Sequence, residues 1–364
     1  MIGIIGGYGD VGLEAARAFV KLGKSNLKIG GRNPQTVSDE IKSEFSNAAW
    51  VAVDINDVQS LASFCQNCKL IVNCAGPSSK FSVRVAQLCL EKGCHCVDSG
   101  TDDKLAALQQ ESNRTAVIHA AGAIPGLSGL LPRWLGTSFD KVDSLISYTG
   151  MLADFTPSAA EDYLAGVMEA NKPLAAWQDG ECSIGVLRKQ KAELPFFPRE
   201  VTVYPYFDKE TEFVAKSLGL HDGKWYLVNE GSRVAALLEE ISIQFLTEPK
   251  TAVERICQAS KLDAAGREKY LKFIIQLDGL INGSKTTRTL VLQAQNPSAV
   301  IGSATAAAGM SVLAGIVPAG VRPFSEIANL NIVVDTLQKL GCQSMFKIFE
   351  LSIEQLLQPI EGEL

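Results

Sequence analysis

The chain has 364 residues, 46% of them apolar and 20% charged, with a formal net charge of −6. That composition excludes a disordered chain, leaves length for two domains, and argues against a nucleic-acid partner held by phosphate neutralisation. Nine irregularly spaced cysteines read as the reduced thiols of a cytoplasmic protein, not as a disulfide framework.

Residues 2–122 alternate short apolar runs with amphipathic segments. Strands are expected at Ile2–Ile5, Leu27–Gly30, Ala49–Val53, Leu70–Cys74, His95–Asp98 and Ala116–His119. Helices are expected at Val11–Leu22, Asp57–Cys65, Ser82–Glu91 and Lys104–Asn113. In the first of these Val11, Ala15, Phe19 and Leu22 recur on one face. Such alternation calls for a parallel sheet with right-handed crossovers.

From about residue 140 the pattern changes. Runs at Val142–Tyr148, Ser183–Leu187, Val201–Tyr206, Trp225–Val228 and Ser242–Phe245 read as strands, and Leu271–Leu277 with Thr287–Gln293 as a hairpin. Helical patterns lie near 158–170, 230–240, 250–260 and 263–270, and helix returns at Ala304–Leu313 and Phe324–Gly341. The uncharged stretch Leu290–Val321 is rich in Ala, Gly and Ser and broken by Pro297 and Pro318. It is expected to be a strand end and a buried helix, not a membrane span. Met1 leads straight into Ile2–Ile5, so no secretory leader is expected either.

Gly7-Tyr8-Gly9-Asp10-Val11-Gly12 is a G-x-G-x-x-G match set between an expected strand and an expected helix. In that context the motif means dinucleotide binding. Gly7 is expected to make the tight turn, Gly9 to admit a pyrophosphate, and Gly12 to bring the helix against the sheet. The helix N-terminus offers N–H groups to the phosphates. The end of the second strand, where a carboxylate would hold the ribose of NAD, reads Gly30-Gly31-Arg32-Asn33. The missing carboxylate removes a repulsion and leaves room. Arg32 offers a charged fork to a 2′-phosphate and Asn33 a hydrogen bond, so NADP(H) is the expected cofactor. Asp54 suits either the adenine amino group or a helix cap. Asn73, Ala75, Gly76 and Pro77 end the fourth strand near the nicotinamide ribose, with a plain loop break as the other reading of Gly76-Pro77.

The division that follows is a doubly wound Rossmann domain at 1–123, an α+β substrate and dimerisation domain with a mostly antiparallel sheet at 124–300, and C-terminal helices at 301–364 packing back on the first domain. Cys65-x-x-Cys68 and Cys94-His95-Cys96 each look like half a zinc pattern without its other half, so no metal is expected.

Six stretches together resemble the saccharopine dehydrogenase-like reductases: GGYGDVG at 6–12, GGRNP at 30–34, NCAGP at 73–77, GCHCVDSG at 93–100, AGAIPGLSGLLPRWL at 121–135, and SATAAAGMSVLAGIVPAGVRPFSEI at 303–327. The resemblance implies a nucleotide domain paired with an α+β domain that covers the nicotinamide. It also implies reduction of an imine to a secondary amine with NAD(P)H, or the reverse. Related trans-acting enoyl reductases, which reduce C=C bonds, are the alternative, and a non-catalytic NADP(H) sensor is another.

Hydride transfer to an imine needs a proton for nitrogen, from a general acid or from a substrate already protonated in solution. Asp98, ending the fifth strand, is the first choice to stabilise an iminium, with a helix-cap role as its other reading. Lys80 and Ser79 follow the Gly-Pro turn and suit a substrate carboxylate, Ser99 lies beside Asp98, and His119 ends the sixth strand. Tyr148 offers a phenol near the end of a second-domain strand. Pro125 and Gly126, at a helix start, are expected to aim backbone N–H groups at the substrate, and Arg322 to hold its carboxylate. The partner expected is a small molecule, free or carrier-bound, for a homodimer with no membrane contact.

Overall fold

Ile2–Ile5 are buried one after another and form β1, the uninterrupted apolar run that a central parallel strand requires. Beside β1 lies β2 (Leu27–Gly31), and beyond it β3 (Ala49–Ala52). On its other side follow β4 (Leu70–Asn73), β5 (His95–Asp98), β6 (Ala116–His119) and a last strand, Gly320–Pro323. Every pairing is parallel. Sheet growth reverses between β1 and β4, the place where doubly wound sheets hold ligands beyond the carboxyl ends of their strands.

The crossovers carry α1 (Asp10–Lys21), α2 (Asp39–Glu44), α3 (Val58–Cys65) and α4 (Ser78–Lys92). α4 starts at Ser78 instead of the expected Ser82, with Pro77 as its extended N-cap, and Gly93 in the left-handed region ends it. In place of the helix expected at Lys104–Asn113 there is a 3-10 segment, Asp103–Glu111, and residues 112 and 113 lie outside the described residues. The helix Pro297–Leu313 buries Ala304, Ala306, Ala307 and Ala308. A Cβ on its Gly309 would come within 2.8 Å of Phe19 and 2.9 Å of Leu70, so the small residues are what allow the close approach.

This is a computed structural model, and it describes residues 1–111, 114–169, 172–238 and 240–358. The chain forms two units, Met1–Leu130 with Ser298–Cys342 and Leu131–Pro297 with Gln343–Leu364. After helix α5 (Leu127–Gly136), the second unit is built on β7 (Lys141–Leu152), β8 (Ala176–Gln178), β9 (Glu181–Ser183), β10 (Gln190–Ala192), β11 (Val201–Pro205), β12 (Asp222–Asn229), β13 (Tyr270–Ile281) and β14 (Ser284–Ala294). Its main order is β10-β11-β12-β7-β13-β14 and then Met345–Phe349. Among the described residues only β12 with β7 is a parallel pair in this sheet. β13 and β14 turn on Asn282-Gly283, both at positive φ, as a two-residue hairpin requires.

Three expectations are corrected here. Ser242–Phe245 lies inside α9 (Ile241–Thr247), after α6 (Pro157–Glu169), α7 (Lys209–Leu218) and α8 (Ser232–Leu238). The helix expected at 263–270 is absent, because α10 (Pro249–Ala264) stops and β13 begins at Tyr270. The segment expected as helices at 301–364 is divided: Leu330–Leu340 is helix in the first unit, whereas Met345–Phe349 is a strand paired with β14. Among the described residues no helix is long and apolar enough to cross a membrane.

Candidate functional site

The positive φ in the turn after β1 belongs to Gly6, at 72°, and not to Gly7. A Cβ on Gly6 would lie 2.7 Å from the Ala75 nitrogen, so this glycine also lets the loop after β4 approach. At Gly7 a Cβ would meet Ile29 at 2.5 Å, and at Gly12 it would meet the Gly6 carbonyl oxygen at 2.3 Å. Those two glycines therefore serve packing, on β2 and between helix and turn. Gly9 differs: the only neighbour of a Cβ there is the Gly6 oxygen at 3.4 Å. Gly9 is the N-cap of α1 and gives it no side-chain cap, and the Asp10, Val11 and Gly12 N–H groups have no acceptor among the described residues. Three donors beside an open surface, at the positive end of a 12-residue helix, fit a pyrophosphate. Asp10, exposed in that first turn, complements the same helix end.

The end of β2 is not an empty space. A Cβ on Gly31 would fall 2.5 Å from the Tyr8 ring, and one on Gly30 would fall 2.5 Å from Phe64. Tyr8 lies over Gly31, 5.7 Å from the Trp50 ring, and its hydroxyl donates to the Val51 carbonyl at 3.1 Å. Burial pushes its pKa up to about 12. The room left by the missing carboxylate is thus taken by an aromatic side chain from the glycine turn. Arg32 and Asn33 follow, both exposed. Arg32 makes no ion pair or hydrogen bond among the described residues, whereas the Asn33 carbonyl accepts from Thr36 at 2.8 Å. Asp54 is exposed and accepts from the Asn56 N–H at 2.9 Å, which ties one carboxylate oxygen to its own turn.

At the ends of β4 and β5, Asn73 and Asp98 are register partners and both are buried. The Asn73 amide donates to Asp98 Oδ2 at 2.7 Å, and Gly100 N–H donates to Asp98 Oδ1 at 2.8 Å. Asn73 Oδ1 accepts from Ala75 N–H at 3.2 Å, and Ser99 N–H bonds the Asn73 carbonyl at 3.0 Å. Both Asp98 oxygens therefore hold the two strand ends together. Burial and the Asp98 charge push the Cys74 thiol up to about 12. Gly76 and Pro77 lead into α4, which puts Ser79 and Lys80 in its exposed first turn instead of a loop.

His119 Nδ1 lies 2.8 Å from the Thr101 hydroxyl, and burial lowers its pKa to about 4, against a smaller upward push from Asp103. It is neutral at pH 7 and so is no general acid there. Gly126 forms a bridge with Gly122, and the Leu127 and Ser128 N–H groups donate to the Gly122 and Ala123 carbonyls at 3.1 and 3.0 Å. Those two donors close the loop on itself. The Arg322 guanidinium donates to the Ala319 carbonyl at 2.9 Å, folded onto its own loop. Tyr148 belongs to the second unit: it lies within β7, not near its end, buried and stacked 5.1 Å from Tyr226. Burial pushes its hydroxyl up to about 12.

The first unit thus brings Gly6 to Gly12, Asn73 to Pro77, Asp98 to Gly100 and His119 to adjacent strand ends of one sheet. The motif reading missed Gly6, Gly100 and Thr101. Gly100 carries the signal most plainly: a Cβ there would meet the Ser78 hydroxyl at 1.9 Å. The two cysteine half-patterns each send one thiol to a buried group, Cys65, Cys89 and Cys94, whose sulfurs lie within 4.8 Å of one another.

A glycine turn with an uncapped helix start, at the reversal point of a parallel sheet, defines a dinucleotide-binding domain. Residues 2–123 match the family model of the saccharopine dehydrogenase NADP binding domain. The first third of the chain is thus an NADP-binding domain similar to that of saccharopine dehydrogenases. It is 26% identical over 170 residues to a probable mitochondrial saccharopine dehydrogenase-like oxidoreductase of Arabidopsis thaliana, a match covering 40% of this chain and 37% of that protein. The fold is similar to that of saccharopine dehydrogenase (L-Glu forming) from Saccharomyces cerevisiae, with TM-score 0.65 and 14% identity over 96% of this chain and 99% of that one. It is also similar to a homospermidine synthase from Legionella pneumophila in complex with NAD, with TM-score 0.59 and 11% identity over 96% and 91% of the two chains.

Proposed function

We propose that the chain is an NADPH-dependent oxidoreductase that reduces the C=N bond of an amino-acid-derived imine. The observation that carries the cofactor half is the pairing of an uncapped α1 start with the unpartnered, exposed Arg32 just past β2. The α1 N–H groups would hold the pyrophosphate and Arg32 a 2′-phosphate. The bound cofactor supplies a hydride. Asn73 and Asp98 fix the loops at the strand ends, where the nicotinamide end of such a cofactor lies in doubly wound sheets. Asp98 is in this reading a positioning residue whose negative charge also favours a cationic substrate. With His119 neutral, the proton on nitrogen comes from the substrate, since imines of basic amines are protonated before they bind. The saccharopine dehydrogenase-like relatives support the C=N assignment over C=C.

The test has two parts. Arg32→Ala is expected to weaken NADPH binding about 10- to 100-fold, the loss of one charged phosphate contact, and to leave NADH binding unchanged. Fluorescence titration of both nucleotides reads this, and equal losses for both would remove Arg32 from the 2′-phosphate. NADPH consumption over imines, enones and α-keto acid/amine pairs is expected with the imines or pairs. Turnover of enones alone, or none at all with tight NADPH binding kept, overturns the C=N assignment.

A further inference from the structure

The second unit contains a cavity of about 280 Å³, at the lower end of the size range of small-ligand sites. Its lining includes Arg199 just before β11, Glu230 just after β12, Arg267 before β13, Tyr270 and Lys272 on β13, and Gln293 on β14. The charges are unusual for their depth. The Glu230 side chain is only 2% exposed and pairs with two guanidinium groups, that of Arg199 at 3.3 Å and that of Arg267. Lys272 is 5% exposed, and its ammonium donates to the Phe196 carbonyl and stands 4.5 Å from the ring centres of Phe197 and Tyr270. No carboxylate pairs with it among the described residues. Burial pushes Lys272 below the usual lysine range, with Glu230 acting the other way.

Arg199, Arg267 and Lys272 carry three positive charges against one on Glu230. Lys269, also in the lining, is matched by Asp154 at 2.9 Å, and the exposed Glu268 offsets one more. One positive charge remains over, and the buried Lys272 ammonium, which has no carboxylate partner among the described residues, is the cation for which that is costly. Two sets of donors are still unused, the remaining hydrogens of the Lys272 ammonium and the terminal nitrogens of Arg199, which gives only Nε to Glu230. The Tyr270 hydroxyl, on a residue only 7% exposed, faces Glu230, and burial with that contact holds it firmly protonated.

We propose that this cavity binds the carboxylate of a small organic acid, held by Lys272 and Arg199, with Glu230, Arg267 and Tyr270 fixing the site. A single excess positive charge suits a monovalent carboxylate better than a phosphate dianion. The site does not depend on the reduction proposed above, and its test needs no turnover.

The test is calorimetric titration of the full chain with acetate, butyrate, glutarate and inorganic phosphate. The carboxylates are expected to bind saturably and more tightly than phosphate. Lys272→Met is expected to weaken them about tenfold, as for loss of a charged hydrogen bond, and Arg199→Gln about threefold or more. NADPH affinity, read on the first unit, is expected to stay the same in both variants. Arg199 is 63% exposed in its side chain, so its variant keeps the test valid if Lys272→Met fails to fold. Absence of carboxylate binding, binding equal in the wild type and Arg199→Gln, or preference for phosphate each overturns the proposal. In a turnover assay, glutarate raises KM alone if the reacting molecule supplies the carboxylate, and changes kcat if a separate regulator does. Either pattern supports the site.

Discussion

His119 stays unprotonated near neutrality because its ring is buried beside Thr101, and a cation there would lose its water. The folded pKa of about 4 lies below the ordinary 6.5, so between those values the unfolded chain takes up a proton that the folded chain refuses. Stability therefore falls as pH drops through that window, by up to about 3 kcal/mol, and is fully present above it. His119→Gln is expected to flatten this part of the profile, which urea melts of both proteins at pH 7 and pH 4.5 would read. An unchanged slope would mean that the ring is solvated in the folded chain. At this scale the glycine motif and Arg32 were legible, because their meaning lies in local order along the chain. Tyr8 was not: its hydroxyl reaches Val51, 43 residues away, and nothing local announces that contact. Glu230 and Arg267 were invisible for the same reason, since a buried ion pair looks in sequence like two surface charges.

The strand-to-turn elements carry the cofactor choice. β2 ends in two glycines because rings of Tyr8 and Phe64 press on them. Gly31→Asp is accordingly expected to lose NADPH binding about tenfold or more without gaining NADH, since the new side chain collides with Tyr8 before it can meet a ribose. Adding Tyr8→Ala to Gly31→Asp should open the space and bring NADH binding. Titration of both variants with the two nucleotides checks this, and tight NADH binding by the single variant would refute the packing argument. Periodicity located β1 to β6 well, because strands buried on both faces form short apolar blocks between amphipathic helices. It failed at Ser242–Phe245, where four residues are too few to separate one strand from one turn of the α9 helix. It failed again at 263–270, where the end of α10 and the start of β13 run together without a proline.

Across the whole molecule the first unit is assembled from two distant stretches, Met1–Leu130 and Ser298–Cys342. The second stretch brings a core helix, whose Thr305 donates to the Ala121 carbonyl at 2.8 Å, and the strand that covers β6. Composition and the change of rhythm near residue 140 announced two architectures, but pairing partners hundreds of residues apart leave no periodic trace. Hence the strand Met345–Phe349 was read with the wrong unit.

That interruption sets an order of events during synthesis. A ribosome adds about 5–20 residues each second, and domains fold as their parts emerge. When residue 297 has emerged, the second unit lacks only the segment with its edge strand, whereas the first still lacks a core helix and must wait with Phe19 and Leu70 uncovered. Nascent chains stalled at about residue 330, with the first 297 clear of the exit tunnel, should show protease protection over 141–294 and none over 2–123. Protection of 2–123 at that length would show that the nucleotide domain closes without its second half. Synthesis thus completes most of the second unit before the nucleotide-binding one, so a nascent chain is held back from the cofactor until the stretch Ser298–Cys342 has emerged.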